Sequence, residues 1–194
     1  MCEVSITKEK ESSRDKLLRT ASRLFQLQGY HATGLNQITK ESGAPKGSLY
    51  YHFPNGKEQL AVESVERTAK FVADGIEHGL DKHEDPSEAI QEFIKDLAER
   101  FHNDRSLEGV PIASVALETA LVSEPIRKAC QTGYESFQNA FTQKLINSGY
   151  EETRAKELGI VINSMIEGAF LLSFTMGNTE PLLLISKQIP VLLE

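Results

Sequence analysis

The residues best suited to chemistry sit in one short run, Lys46-Gly47-Ser48-Leu49-Tyr50-Tyr51-His52. It supplies a cation, a hydroxyl, two phenols and an imidazole, with no carboxylate among them. On a helix that turns about 100° per residue, Pro45, Leu49 and Phe53 fall on one side, which must therefore pack inward. Gly47 and Tyr51 fall on the other, flanked by Lys46, Ser48 and Tyr50, with His52 at the edge. Such a surface suits the major groove of a nucleic-acid duplex. Lys46 reaches guanine acceptors or phosphate, while Ser48 and the phenols reach phosphate or a base edge. Gly47 removes a side chain at the point of closest approach. His52 and Lys57 fall where one helix ends and the next begins, a place where backbone N–H groups and a cation hold phosphate together. Thr33 stands in the corresponding place before the second helix. Taken alone, a short helix with exposed Lys, Ser and Tyr is equally a solvated surface.

Other chemistry finds little support. His31, His52, His78, His83 and His102 form neither an H-E-x-x-H pattern nor a nucleophile motif, which argues against an enzyme. The loop pair His78 and His83 has a spacing that suits no single helix face, so no metal or other cofactor is expected. Cys2 and Cys130 match neither a disulfide framework nor a metal-ligand spacing and are read as free thiols.

The elements that must position the run are helical almost throughout, because no stretch alternates as a strand would. The expected class is all-α, with about nine helices in two units: residues 1–56 as a three-helix head and 57–194 as a helical bundle. The first helix is expected over Ser12 to Gln28, capped by Ser12 and ended by Gly29. The second runs from Leu35 to Ser42, stopped by Gly43, and the third from Pro45 to His52 with proline in its first turn. Two short helices flanking a glycine turn make a helix-turn-helix. A long fourth helix, about Lys57 to His78, leads into a polar stretch from Glu77 to Pro86 that reads as an interdomain loop. Further helices are expected near Ser87 to Asn103, Pro111 to Val122, Pro125 to Ser148, Glu152 to Met176 and Pro181 to Leu193.

Charge divides along the same line. The chain is −7 overall, the wrong sign for binding a polyanion over its whole surface. Yet residues 1–60 hold nine basic against six acidic side chains, and the remainder holds 12 against 22. A basic head on an acidic body implies two jobs. Met1 to Lys10 lacks the apolar core of a secretory signal, and the most apolar stretch, Ile160 to Met176, is interrupted by Asn163 and Glu167. A cytoplasmic protein with no membrane partner is expected.

The ordered string Gly29-Tyr30, Thr33, Ile38, Gly43, then Lys46 to Phe53, followed by Lys57 and Leu60, closely resembles the DNA-binding domain of the TetR family. Position by position, the resemblance implies that Lys46, Gly47, Ser48, Tyr50, Tyr51 and His52 face DNA and that Thr33 and Lys57 hold phosphate. Two departures stand out. Pro45 replaces the capping serine or threonine common in relatives, and Phe53-Pro54-Asn55-Gly56-Lys57 is one residue longer than the usual spacing. In the second unit, Gly109-Val110-Pro111-Ile112-Ala113, Leu117-Glu118 and Glu167-Gly168-Ala169 resemble the LmrA/YxaF-like branch, with Val110 in place of a frequent cysteine. That resemblance implies a repressor that responds to drugs or aromatic compounds.

The body independently supplies a pocket's ingredients. Phe93, Leu97, Phe101, Ile112, Val115, Ala116, Phe137, Met165, Phe170 and Phe174 are apolar walls suited to an aromatic effector, with His102, Asn163 and Glu167 as polar anchors. The same spacing also serves ordinary core packing. The helix over Glu152 to Met176 is apolar on nearly every side around Met165, Ile166, Ala169 and Leu172, so a second copy is expected to cover it, with Gly168 and Ala169 allowing close approach. A homodimer places two recognition helices on a palindromic double-stranded operator. Effector binding then shifts the population towards wrongly spaced heads, with the fourth helix as the connection.

Overall fold

The computed structural model describes residues 11–103 and 112–194, and every regular element among them is a helix. The described chain runs α1 (Ser13–Ala32), α2 (Leu35–Ser42), α3 (Lys46–His52), α4 (Gly56–Leu80), α5 (Pro86–Asn103), α6 (Ala113–Thr119), α7 (Glu124–Asn147), α8 (Glu152–Met176) and α9 (Glu180–Leu193). The all-α expectation holds, and most boundaries lie within two residues of those expected. Pro111, expected to open the sixth helix, lies outside the described residues.

Side-chain caps fix where several helices begin. Ser12 Oγ accepts the Asp15 N–H at 3.1 Å, as its position before the first apolar repeat suggested. The Glu151 carboxylate accepts the N–H groups of Thr153 and Arg154, each at 2.9 Å, and these bonds hold its pKa below the ordinary value. The first helix departs from expectation at its end. Gly29 breaks the helical backbone at φ 81°, but the chain then adds another turn to Ala32 instead of leaving as a loop. Gly43, also left-handed at φ 64°, makes the turn between α2 and α3.

Two apolar clusters hold these helices. In the first, Leu17, Leu18, Ala21, Leu24 and Phe25 of α1 enclose Ile38, Leu49 and Phe53, closed by Leu60, Ala61 and Val65 of α4. Leu49 and Phe53 are buried as their spacing assigned, whereas Pro45, expected on the same inward side, is exposed because it stands at the cap before α3 begins. The cluster continues into Ile112, Val115, Ile126, Ala129 and Cys130, which tie α6 and α7 to the head. The second cluster joins the far half of α4, from Ala69 to Leu80, to α5, α7, α8 and α9. One continuous helix, α4, thus belongs to both cores. Gly133 lets α7 lie close against it, since a Cβ there would sit 2.9 Å from the Ala69 Cβ and 2.8 Å from the Ile112 Cδ1.

Two sequence expectations are corrected. The stretch Glu77 to Pro86 is no interdomain loop, because α4 continues to Leu80 and both flanking helices pack in the same cluster. A boundary after residue 56 also cuts through a shared core, since Leu60, Ala61 and Val65 pack with α1 to α3. α8 is long and apolar enough to cross a membrane. Its inner stripe of Ala155, Leu158, Ile162, Ile166 and Ala169 nonetheless packs in the protein core.

Phe53 is the plug between α3 and α1, with the Arg14 guanidinium 5.7 Å above its ring. Phe53→Ala is expected to destabilise the head by about 3–5 kcal/mol, the usual cost of emptying a buried aromatic site. Urea unfolding followed by far-UV circular dichroism measures it, and a loss below about 1 kcal/mol contradicts the packing described.

Candidate nucleic-acid interface

α3 presents most of its polar side to solvent. Tyr51 is 81% and Tyr50 65% exposed, against 1% for Leu49 between them and the core. Lys46 and Gly47 are exposed, Ser48 and His52 half-buried, and nothing lies within 4 Å of where a Gly47 Cβ would be. The Tyr51 and His52 rings meet edge to face at 4.9 Å, which limits the rotamers open to both. Among the described residues, the side chains of Lys46, Ser48, Tyr50 and Tyr51 form no hydrogen bond or ion pair, so their donors point outward. The head's arginines differ: Arg14 pairs with Glu63, Arg19 with Glu11 at 3.0 Å, and Arg23 with Glu41 at 2.5 Å.

Two residues assigned to phosphate sit elsewhere. Thr33 is fully buried, and its hydroxyl donates to the carbonyls of Gly29 at 2.7 Å and Leu24 at 3.2 Å. It ties the end of α1 to the start of α2 and offers phosphate no side-chain donor. Lys57 is turned back onto the head: its ammonium lies 4.3 Å over the Tyr30 ring and donates to the His31 carbonyl at 3.4 Å. Partial burial lowers its pKa, and the nearby Glu118 carboxylate opposes that shift. The insertion that lengthens the loop before Lys57 lets Gly56, at φ 69°, begin α4.

The residues assigned to an effector pocket divide into two groups. Phe101 meets Phe170 at 5.7 Å and Phe174 at 6.4 Å, both edge to face, between the ends of α5 and α8. Phe93 and Phe137 are buried in the same body core, with Leu97 packed against it, while Met165 is half-buried. Ile112, Val115 and Ala116 instead pack in the cluster shared with the head, where Ile112 and Val115 line a cleft with Ser22, Phe25, Gln26, Ser64, Val65 and Thr68. They therefore do not share a wall with Phe93. His102 is exposed near the end of α5 and cannot anchor an interior ligand, whereas Asn163 is buried.

Glu167 is the unusual polar group of the body. Burial pushes its carboxyl up to about 7, and among the described residues it forms no hydrogen bond. Tyr134, overlooked in the sequence, packs against both apolar clusters, and its phenol is raised first by burial, then by Glu167 and Cys130. Its signal was available: Tyr134 lies one helical turn from Cys130 and Phe137 on the buried side of α7. The same burial pushes the Cys130 thiol up to about 11, so it is an inert core side chain.

The dimer surface is also revised in detail. Ile166 and Ala169 face the protein's own core, whereas Gly168 and Leu172 are exposed on the outer face of α8. Val161, Leu171 and Met176 share that exposure, as do Leu183, Leu184 and Val191 of α9.

Comparison with known proteins decides the family. Residues 17–63 match the model for bacterial regulatory proteins of the tetR family. Residues 86–188 match that for the C-terminal domain of LmrA/YxaF-like transcriptional regulators. The chain belongs to the TetR family. Among its relatives, the HTH-type transcriptional regulator YxaF of Bacillus subtilis (strain 168) is 57% identical over 93% of this chain and 94% of its own. The HTH-type transcriptional regulator LmrA of the same strain is 52% identical over 94% and 97%. The crystal structure of reduced E. coli NemR superposes with a TM-score of 0.82 at 22% identity, covering 94% of this chain and 98% of that one, a likeness of fold. This TetR-family chain is thus a DNA-binding transcriptional regulator and not an enzyme.

The raised Glu167 pKa makes stability depend on pH. Between about 4.5 and about 7 the folded TetR-family protein keeps a proton that the unfolded chain has lost, so stability falls as pH rises through that window. Glu167→Gln is expected to flatten urea midpoints across this range and to gain most at its upper end. Parallel curves for the two proteins contradict the assigned burial.

Proposed function

We propose that the chain is a ligand-responsive repressor that binds a palindromic operator as a homodimer in the cytoplasm and leaves it when a small apolar or aromatic effector enters the body. The observation that carries this reading is the two-sidedness of α3, with Leu49 and Phe53 buried and Tyr51 projecting at 81% exposure. Lys46, Gly47, Ser48, Tyr50, Tyr51 and His52 form the reading surface. Lys46 supplies charge, the phenols and Ser48 supply directional hydrogen bonds, and Gly47 permits close approach. A dimer seated on its operator blocks the polymerase from the same duplex.

The apolar outer faces of α8 and α9 support dimerisation. Leu172, Leu184 and their neighbours are costly to leave in water, and a two-fold pairing of both helices covers them as a four-helix bundle. Such a pair is able to present its α3 helices about 34–36 Å apart, one turn of the duplex. For the effector, the ring cluster of Phe101, Phe170 and Phe174 offers apolar surface, while Glu167 and Tyr134 offer polar contacts. Release is a population shift, and a coupling of about 1–3 kcal/mol between effector and operator suffices.

Footprinting of the purified protein on DNA flanking its gene locates the operator. Tyr51→Ala is expected to weaken specific binding by about 100-fold while leaving the dimer and its circular dichroism intact. Lys46→Ala weakens it with a salt slope lower by about one. Unchanged affinity for Tyr51→Ala overturns the assignment of α3. Leu172→Asp is expected to give monomers in sedimentation equilibrium and to abolish operator binding. A stable Leu172→Asp dimer places the interface elsewhere.

A further inference from the structure

Where the body meets the head, α6 and the turn after it make two polar contacts in addition to the apolar seam. At the first, the Glu118 carboxylate accepts the backbone N–H of His31 at 2.8 Å. It lies so close to the kink in α1 that a Cβ on Gly29 would stand 1.8 Å from its Oε1. The Lys57 ammonium is held beside the same turn, over the Tyr30 ring and on the His31 carbonyl, with Glu118 supplying the opposite charge. At the second contact the Ser123 hydroxyl donates to the Glu58 carboxylate on α4 at 2.7 Å. The same Ser123 oxygen accepts the Ile126 N–H and so caps α7.

These contacts explain three features that DNA recognition does not require. Gly29 needs its left-handed backbone to make the kink, and its missing side chain leaves the carboxylate room. The extra turn from Tyr30 to Ala32 brings the His31 N–H to Glu118. Lys57 folds back onto this turn, partly covered, because a ring face and a carbonyl receive its ammonium and the Glu118 carboxylate supplies opposite charge nearby. A carboxylate that accepts a backbone N–H and faces a cation is among the stronger polar contacts available to a partly covered side chain.

We propose that Glu118 is a positioning residue that fixes the angle of the DNA-binding head on the body, through the His31 N–H and Lys57. It touches no DNA. It sits on α6, whose Ile112 and Val115 flank already share a core with α1 and α4, so a displacement of α6 is passed directly to the turn that precedes α2. The α4 helix is then not the sole connection between body and head.

The test uses the full-length protein and two measurements, the first of which is independent of the DNA-binding reading. Native-state hydrogen exchange on wild type, Glu118→Ala and Glu118→Gln follows the His31 amide, with amides of α8 and α9 as the internal control. Glu118→Ala is expected to speed exchange at His31 by about 10-fold or more, as befits loss of a hydrogen bond to a charged group, with the control unchanged. Glu118→Gln, which keeps an acceptor and loses the charge, falls between. The second measurement uses the duplex recovered by in vitro selection on the wild-type protein. Glu118→Ala is expected to lower affinity for it by about 10-fold through loss of preorganisation, with the salt slope unchanged. Unchanged exchange at His31, equal acceleration everywhere, or wild-type affinity overturns the proposal. A reduced salt slope also overturns it, since that outcome places the effect at a phosphate contact. Failure to select any duplex with wild type sinks the operator reading alone, and the exchange data still decide the role of Glu118.

Discussion

Burial of one apolar seam governs how the whole molecule works. Phe25 of α1 and Leu60 and Val65 of α4 share a core with Ile112, Val115 and Ile126, residues that belong to the body's side of the chain. Separating the two units exposes those side chains to water at a cost on the order of 1.5–3 kcal/mol for each large one. The head is therefore not a bead on a string. Its orientation is set by packing, and a change in the body reaches it through side chains already in contact.

The polar residues obey the same economy. The arginines of α1 are matched by carboxylates in or beside the head, Lys57 lies over the Tyr30 ring at the junction, and the thiol of Cys130 is held neutral in the core. Among the described residues, the side chains of Lys46, Ser48, Tyr50 and Tyr51 on α3 and the carboxyl of Glu167 have no such partner. A carboxyl that burial holds towards its neutral form costs stability at neutral pH, and sites that accept such a cost are commonly those that recognise a ligand. The exposed donors of α3 and the half-buried carboxyl of Glu167 lie at the two ends of the proposed switch.

Much of this was legible in the sequence, for physical reasons that differ by element. The helices of the head were marked by Ser12, Gly43 and the apolar period of Leu17, Leu18, Ala21, Leu24 and Phe25, all of them local signals. The inward side of α3 followed from the angle between Leu49 and Phe53, although Pro45, counted with them, is exposed at the cap. Thr33 was misplaced because the kink at Gly29, which offers its carbonyl to the hydroxyl, was read as the end of the helix. Lys57 was misplaced because its neighbours along the chain do not show that the Tyr30 ring and the His31 carbonyl receive its ammonium. The split of the apolar body residues between two clusters was hidden for the same reason: Ile112 and Phe93 are alike in character and differ only in what they pack against. For α8, apolar character on nearly every side placed Ile166 and Leu172 together, whereas burial separates an inner stripe from an outer one.

The internal pairing of Arg14, Arg19 and Arg23 bears on how the protein finds its target in a chromosome. Guanidinium groups already neutralised by neighbouring carboxylates contribute little to indiscriminate attraction, and the acidic body repels the polyanion outright. Dwell time at random sites is correspondingly short. A regulator built this way trades general stickiness for rapid sampling, and few of its molecules are lost to the vast excess of irrelevant sequence.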